Sequence, residues 1–213
     1  MENLKVMVKV GGSLCSPQLL PPLTAAVKVL AKRCSLAIIP GGGPFANMVR
    51  TWDSRMQLSD HACHWMAVAA MNQYGLLLES QGMGMAVDDV DMLFSTGGDA
   101  RILLPYRFLR EVDNLPHTWG VTSDSIAAYL AGLFNADALI LLKSLDGIPS
   151  KTEENGTILP TCSASQAVER GIVDRNFDRY LSKKTDCWII NGKYPERLVR
   201  TSFDFVGTRI YSE

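Results

Sequence analysis

The chain has 213 residues, 47% of them hydrophobic and 20% charged, with a formal net charge of −1. That length allows one sizeable α/β core, expected as a single domain over 1–213. A balance this close to zero gives no global electrostatic case for nucleic acid or a membrane surface as partner. The five cysteines, Cys15, Cys34, Cys63, Cys162 and Cys187, fall in no Cys-x-x-Cys spacing, so free thiols in a reducing compartment are expected. No apolar run is long enough to span a bilayer. Met1 runs directly into the first strand, so no signal peptide is expected. The expected location is the cytoplasm.

The first element is a strand. Val6, Val8 and Val10 alternate with Lys5, Met7 and Lys9, the period of extended chain. Gly11 and Gly12 end it, and Ser13 follows. Two adjacent glycines remove the Cβ atoms that would hold an anion away from backbone N–H groups. Lys9 sits just before that bare turn, so the stretch has the outline of a phosphate site. An ordinary strand end with a solvated lysine has the same local pattern. Pro17, Pro21 and Pro22 mark a loop and a helix start, and Leu23 to Arg33 reads as a helix with Leu23, Val27 and Leu30 on one face. Cys34 to Pro40 is nearly all apolar, as suits a central parallel strand covered on both faces. It ends in Gly41-Gly42-Gly43-Pro44. Strand, glycine turn and helix thus occur twice. In an open α/β sheet the carboxyl ends of parallel strands share one edge, so both turns are expected to face one ligand.

A helix is predicted to begin at Phe45–Asp53. Ser59 and Asp60 then cap a long helix over His61 to Ser80. His61 and His64 are neighbours on its surface, but no third metal ligand is close in sequence, so partial burial or substrate contact is the expectation for them. Gly82 to Gly98 reads as turn-rich, with Asp88, Asp89 and Asp91 in a solvated loop. Ala100 to Pro105 reads as a strand, and Arg107 and Arg110 flank a short turn or helix. Thr122 to Ser125 precede an alanine-rich helix over Ile126 to Phe134, with Ser or Asp as the cap. Ala138 to Leu142 is a buried strand before the Asp146-Gly147 turn. Lys151 to Gly156 is a polar loop, Ser163 to Gly171 a short helix, Cys187 to Ile190 a strand, Pro195 to Arg200 helical, and Gly207 to Tyr211 a closing strand. Six to eight strands alternating with about six helices predict a three-layer α/β/α sandwich on a mostly parallel sheet.

Four motifs stand in a familiar order: Lys-x-Gly-Gly-Ser at 9–13, Gly-Gly-Gly-Pro at 41–44, Thr-Ser-Asp-Ser-Ile-Ala-Ala at 122–128 and Leu-Asp-Gly-Ile at 145–148. With Gly-Thr-Arg-Ile at 207–210 they resemble the amino acid kinase superfamily over nearly the whole chain. The segments His61-x-x-His-Trp-Met-Ala, Leu103-Leu-Pro-Tyr, 115–127 (Leu-Pro-His-Thr-Trp-Gly-Val-Thr-Ser-Asp-Ser-Ile-Ala) and Asn191-Gly-Lys-Tyr-Pro-Glu-Arg are similar to one branch. That branch is the aminomethylfuran-methyl-phosphate kinases of methanofuran biosynthesis.

The resemblance implies transfer of a phosphoryl group from ATP to a small phosphate monoester, with uridylate or isopentenyl phosphate as alternative acceptors. A non-catalytic nucleotide-binding protein of the same fold is a further alternative. It implies Lys9 on the transferring phosphoryl, Asp124 orienting Lys9, and Gly11, Gly12 and Ser13 on the ATP phosphates. Lys143, Asp146 and Gly147 are expected beside the nucleotide, and Gly41, Gly42 and Gly43 on the acceptor side. Arg107, Arg110, His64 and Trp119 are the acceptor candidates, arginine for phosphate and an aromatic for a furan ring. Mg²⁺ is expected on phosphate oxygens and water, with no protein metal site. A homo-oligomer is implied. Many members carry a second catalytic lysine in Gly-Gly-Met-x-x-Lys. The corresponding stretch here reads Gly171-Ile-Val-Asp-Arg-Asn-Phe, which leaves Arg175, Lys183 and Lys184 as candidate replacements.

Overall fold

The computed structural model describes residues 4–94, 98–150, 157–199 and 205–213. Its centre is an eight-stranded sheet. In chain order the strands are β1 (Lys5–Val10), β2 (Ser35–Pro40), β3 (Met85–Val87), β4 (Arg101–Leu103), β5 (Ala138–Lys143), β6 (Thr161–Ser163), β7 (Asp186–Asn191) and β8 (Gly207–Tyr211). Their spatial order is β3-β4-β2-β1-β5-β7-β8-β6. Every pairing is parallel except β7 with β8. The helices are α1 (Leu20–Ala31), α2 (Gly43–Met56), α3 (Asp60–Ser80), α4 (Pro105–Val112), α5 (Ser123–Leu133), α6 (Ala164–Glu169) and α7 (Phe177–Tyr180). No helix among the described residues is long and apolar enough to cross a membrane.

The alternation of strand side chains divides the interior in two. Val6, Val8 and Val10 of β1, with Leu36 and Ile38 of β2, pack with Leu23, Val27 and Leu30 of α1. Met7, Ala37, Ile39, Leu139 and Leu141 face the other way, toward Ile126, Ala127 and Leu130 of α5. Helices therefore cover both faces of the sheet. The long α3 supplies Trp65, Val68 and Met71 to one core and Tyr74 and Leu78 to the other, so its apolar residues form no single stripe. Ser59 caps it by accepting from the Ala62 N–H at 3.2 Å.

Three elements depart from the sequence expectation. β3 lies inside the Gly82–Gly98 stretch, β6 ends on Ser163, where a helix was expected to start, and α7 occupies a stretch for which no element was predicted. Each has three or four residues, too few to show a period, and each forms by docking on a neighbour. β3 pairs with β4, and β6 with β8. Pro105 opens α4 rather than closing the preceding strand, as proline's fixed φ favours the first helical position. The polar stretch 151–156 lies outside the described residues, as do 95–97 within the turn-rich segment and Arg200 at the end of the helical stretch predicted from Pro195.

The chain leaves β1 toward β2 on one side and returns to β5 on the other. That reversal opens a crevice at the carboxyl ends of the strands. Both glycine turns and the start of α5 lie there.

Candidate active site

The register of two parallel strands builds the charged centre. Lys9 aligns with Leu141, and successive side chains alternate between faces. Lys9 and Lys143 therefore project from neighbouring strands onto the α5 face, one pleat apart. Asp124, in the first turn of α5, lies over both. Its Oδ2 accepts from Lys143 Nζ at 2.6 Å, and its Oδ1 is 2.8 Å from Lys9 Nζ. The contact with Lys9 is an ion pair. Lys9 and Asp124 are each 5% exposed. Burial raises the Asp124 carboxyl, but Lys9 and Lys143 outweigh it and hold the group below the ordinary carboxylate range. Burial pushes the Lys143 ammonium down, and Lys9 adds to that against the pull of Asp124. One carboxylate between two ammoniums leaves the centre with a formal charge of +1 and a demand for an anion.

Asp124 does not cap α5, although an Asp at that position reads as a cap. The cap comes from 49 residues or more away. Asp174 accepts from the backbone and hydroxyl of both Thr122 and Ser125. A carboxylate that distant cannot be seen in local sequence, and it frees Asp124 for the lysines. Arg175, beside it, is exposed, and its neighbour Asn176 donates to the Gly120 carbonyl at 2.8 Å. The second cation on Asp124 is therefore Lys143, whereas the sequence reading offered Arg175, Lys183 or Lys184. Lys183 and Lys184 are exposed as well.

The two glycine turns touch. A Cβ on Gly12 would lie 2.4 Å from the Gly43 Cα, and one on Gly41 would lie 2.9 Å from the Val10 carbonyl. Gly43 also takes φ +55°, which side chains rarely allow. Backbone thus packs on backbone where the strands end. Gly43 opens α2, so the positive end of that helix points at the junction.

Beside the junction is a cavity of about 360 Å³, lined by both turns, one face of α2, the middle of α3 and residues 118–126. Gly12, Ser13, Gly42, Gly43, His64 and Trp119 line it. So does Arg50, which was not among the candidates from sequence. Its guanidinium lies 4.0 Å over the Trp119 ring. The Trp119 indole N–H donates to Asp53 Oδ2 at 2.8 Å. The positions of Arg50 at i+7 from Gly43 and of Asp53 at i+10 were legible as one helix face, but nothing local tied them to Trp119.

His64 is 6% exposed and stacks on His117 with ring centres 4.4 Å apart. His117 bridges His61, 3.0 Å between Nδ1 atoms, and Asp113 at 2.7 Å. All three histidines of the chain thus meet, the third arriving on the loop after α4. Burial, together with His117 and His61, lowers His64 to about 4 against the pull of Asp113. It faces the cavity as a neutral ring.

Other candidates lie elsewhere. Arg107 stands outside the cavity with its side chain 66% exposed, paired with Glu111 at 3.2 Å and Asp88 at 3.8 Å. Expected at the acceptor, it is not among the residues lining the cavity and points from α4 to local carboxylates. Arg110 lies over Trp65 at 4.6 Å. Asp146 accepts from Arg197 at 2.5 Å and Asn191 at 3.2 Å. Gly147 takes φ +151°, and a Cβ there would meet the Thr208 hydroxyl at 2.6 Å. The Asp146-Gly147 turn is thereby fastened to β7 and β8.

The Amino acid kinase family matches residues 5–186. The chain is 32% identical over 201 residues to a [5-(aminomethyl)furan-3-yl]methyl phosphate kinase of Methanocaldococcus jannaschii, covering 91% of this chain and 90% of that one. Among solved structures, uridylate kinase of Archaeoglobus fulgidus has a TM-score of 0.72 at 23% identity, covering 97% of this chain and 100% of that one. An isopentenyl phosphate kinase of T. acidophilum has a TM-score of 0.59 at 19% identity, covering 97% and 99%. The fold agrees with both, and with a family match over most of its length the chain is a kinase belonging to the amino acid kinase family.

Proposed function

We propose that the protein transfers the γ-phosphoryl group of ATP to a small phosphate monoester, most closely a furan-methyl phosphate, giving ADP and the diphosphate. The observation that carries this reading is the Lys9–Asp124–Lys143 centre at the meeting of two glycine turns. The 32% identical furan-methyl phosphate kinase supports the choice of acceptor.

Phosphoryl transfer asks a protein for in-line positioning and charge neutralisation. In the proposed step an oxygen of the acceptor phosphate attacks the γ-phosphorus. The bond from that phosphorus to the bridging oxygen breaks, and ADP leaves with the electron pair. An ionised phosphate is its own nucleophile, so no side chain has to remove a proton. Lys9 meets the transferring oxygens with the ammonium protons that Asp124 does not take. Lys143 supplies the second positive charge, and Asp124 keeps both ammoniums in place. Gly12 and Ser13 present N–H groups to the ATP phosphates, and Gly42 and Gly43 to the acceptor; the expected N–H contacts of Gly11 and Gly41 are corrected, because those groups donate to the Leu142 and Val10 carbonyls at 3.0 and 2.9 Å. Mg²⁺ would be held by phosphate oxygens and water, as its octahedral preference favours, and would supply further charge neutralisation there.

The test is incubation with ATP and Mg²⁺ and a panel of furan-methyl phosphate, UMP and isopentenyl phosphate, read by mass spectrometry. Diphosphate formed from the furan ester in preference to the others is expected. No product from any ester would refute the reading.

A further inference from the structure

We propose, resting on the phosphate-kinase reading above, that Arg50, laid on Trp119, is the group that selects a phosphate monoester as acceptor. Of the seventeen residues lining the cavity, Arg50 alone carries a permanent charge, since His64 is neutral there. The rest of the wall includes Val68, Met71 and Ile126. With Ser13, Asn47, Thr118, Thr122 and Ser123 also on the wall, a cavity of about 360 Å³ holding one cation, apolar side chains and hydroxyl groups fits a small anion with a partly apolar body.

The local geometry presents that cation. Gly43, Ala46, Asn47 and Arg50 line the cavity at i, i+3, i+4 and i+7 of α2, one face of the helix. Side chains on a helix tilt toward its N-terminus, so Arg50 leans back toward the glycine junction. Its platform is fixed from the same helix, because Asp53 holds the Trp119 indole N–H at 2.8 Å. No carboxylate among the described residues forms an ion pair with Arg50, whereas Arg107 is held by two. A guanidinium held over an indole face at 4.0 Å and paired with no carboxylate among the described residues keeps N–H donors free, and their fork matches two phosphate oxygens. Arg50 is thus a binding residue, and Trp119 and Asp53 are positioning residues.

Calorimetric titration of the full chain with furfuryl phosphate, and with furfuryl alcohol as its uncharged counterpart, tests this. Arg50 is exposed, so Arg50→Met is expected to fold. It should weaken furfuryl phosphate by about 10- to 100-fold, the range for charged hydrogen bonds, and leave ATP affinity unchanged. Arg50→Lys should recover only part, since a point charge cannot replace the fork. Trp119→Leu should raise the acceptor KM and spare kcat and the KM for ATP. Arg55 is the control: it lies 5.9 Å over Trp52 on the same helix but outside the cavity, and Arg55→Met should change nothing. A wild-type chain that binds the phosphate no better than the alcohol, or an Arg50→Met chain within twofold of wild type, overturns the inference. Failure of the kinase reading looks different: furfuryl phosphate binds through Arg50, and no ester is ever phosphorylated.

Discussion

Replacing Asp124 with Asn removes one charge and almost no volume. Lys9 and Lys143 then face each other across an amide, with no carboxylate between them. Their ammoniums lie at 2.8 and 2.6 Å from the two oxygens of one carboxylate. At roughly 5 Å apart and an effective dielectric constant near 20, two such charges repel by about 3 kcal/mol. Breaking a buried ion pair from one side costs about 3–5 kcal/mol by general experience. For a chain of this size that corresponds to a melting temperature lower by about 6 to 20 °C. Calorimetry on Asp124→Asn checks the figure. Adding Lys143→Met to Asp124→Asn removes the repulsion, so the double variant should be more stable than the sum of the singles by about 1–3 kcal/mol. In the kinase assay Asp124→Asn should lower kcat by about 10²-fold or more, the usual loss when one electrostatic group is misplaced. An Asp124→Asn chain that melts within 2 °C or so of wild type, or single and double variants that add, would refute the account of the centre.

Three other outcomes follow from the geometry. Lys143 is held below the ordinary lysine value, so activity should fall on the alkaline side before a free lysine would titrate. Lys143→Arg, which stays charged, should remove that limb from the kcat profile. Gly12→Ala puts a methyl group 2.4 Å from the Gly43 Cα, so the two turns must separate. A loss of kcat by about 10²-fold from a displacement near 1 Å is expected in steady-state kinetics, and activity within twofold of wild type would refute the close packing. His64 has a folded value of about 4 against 6.5 for a free histidine. Between those values the unfolded chain binds a proton that the native chain refuses. Stability is therefore fully present above pH 6.5 and falls as pH drops toward 4, by something on the order of 3 kcal/mol. His64→Gln should flatten the stability curve across that window in urea titrations, and an unchanged slope would count against it.

The sequence by itself determined the strands and helices with a sustained period. The alternation of Val6, Val8 and Val10 and the apolar run ending at Pro40 correspond to β1 and β2. The two glycine turns were visible because a missing side chain leaves its mark in the sequence, whereas the pairing of Lys9 with Asp124 was expected only from the family resemblance. What tertiary structure decided is everything that depends on register and on chain far away. Lys143 reads as the end of an apolar strand, and only its alignment beside Lys9 makes it the second cation. Asp174 caps α5 across 49 residues or more, His117 joins His61 and His64 from another loop, and Trp119 meets Arg50 and Asp53 from a different part of the chain. A sequence records residue types and short periods, which fix backbone conformation over a turn or two. The partner of a charge is set by which strands neighbour each other and which loops close over them, and that is a property of the packed sheet.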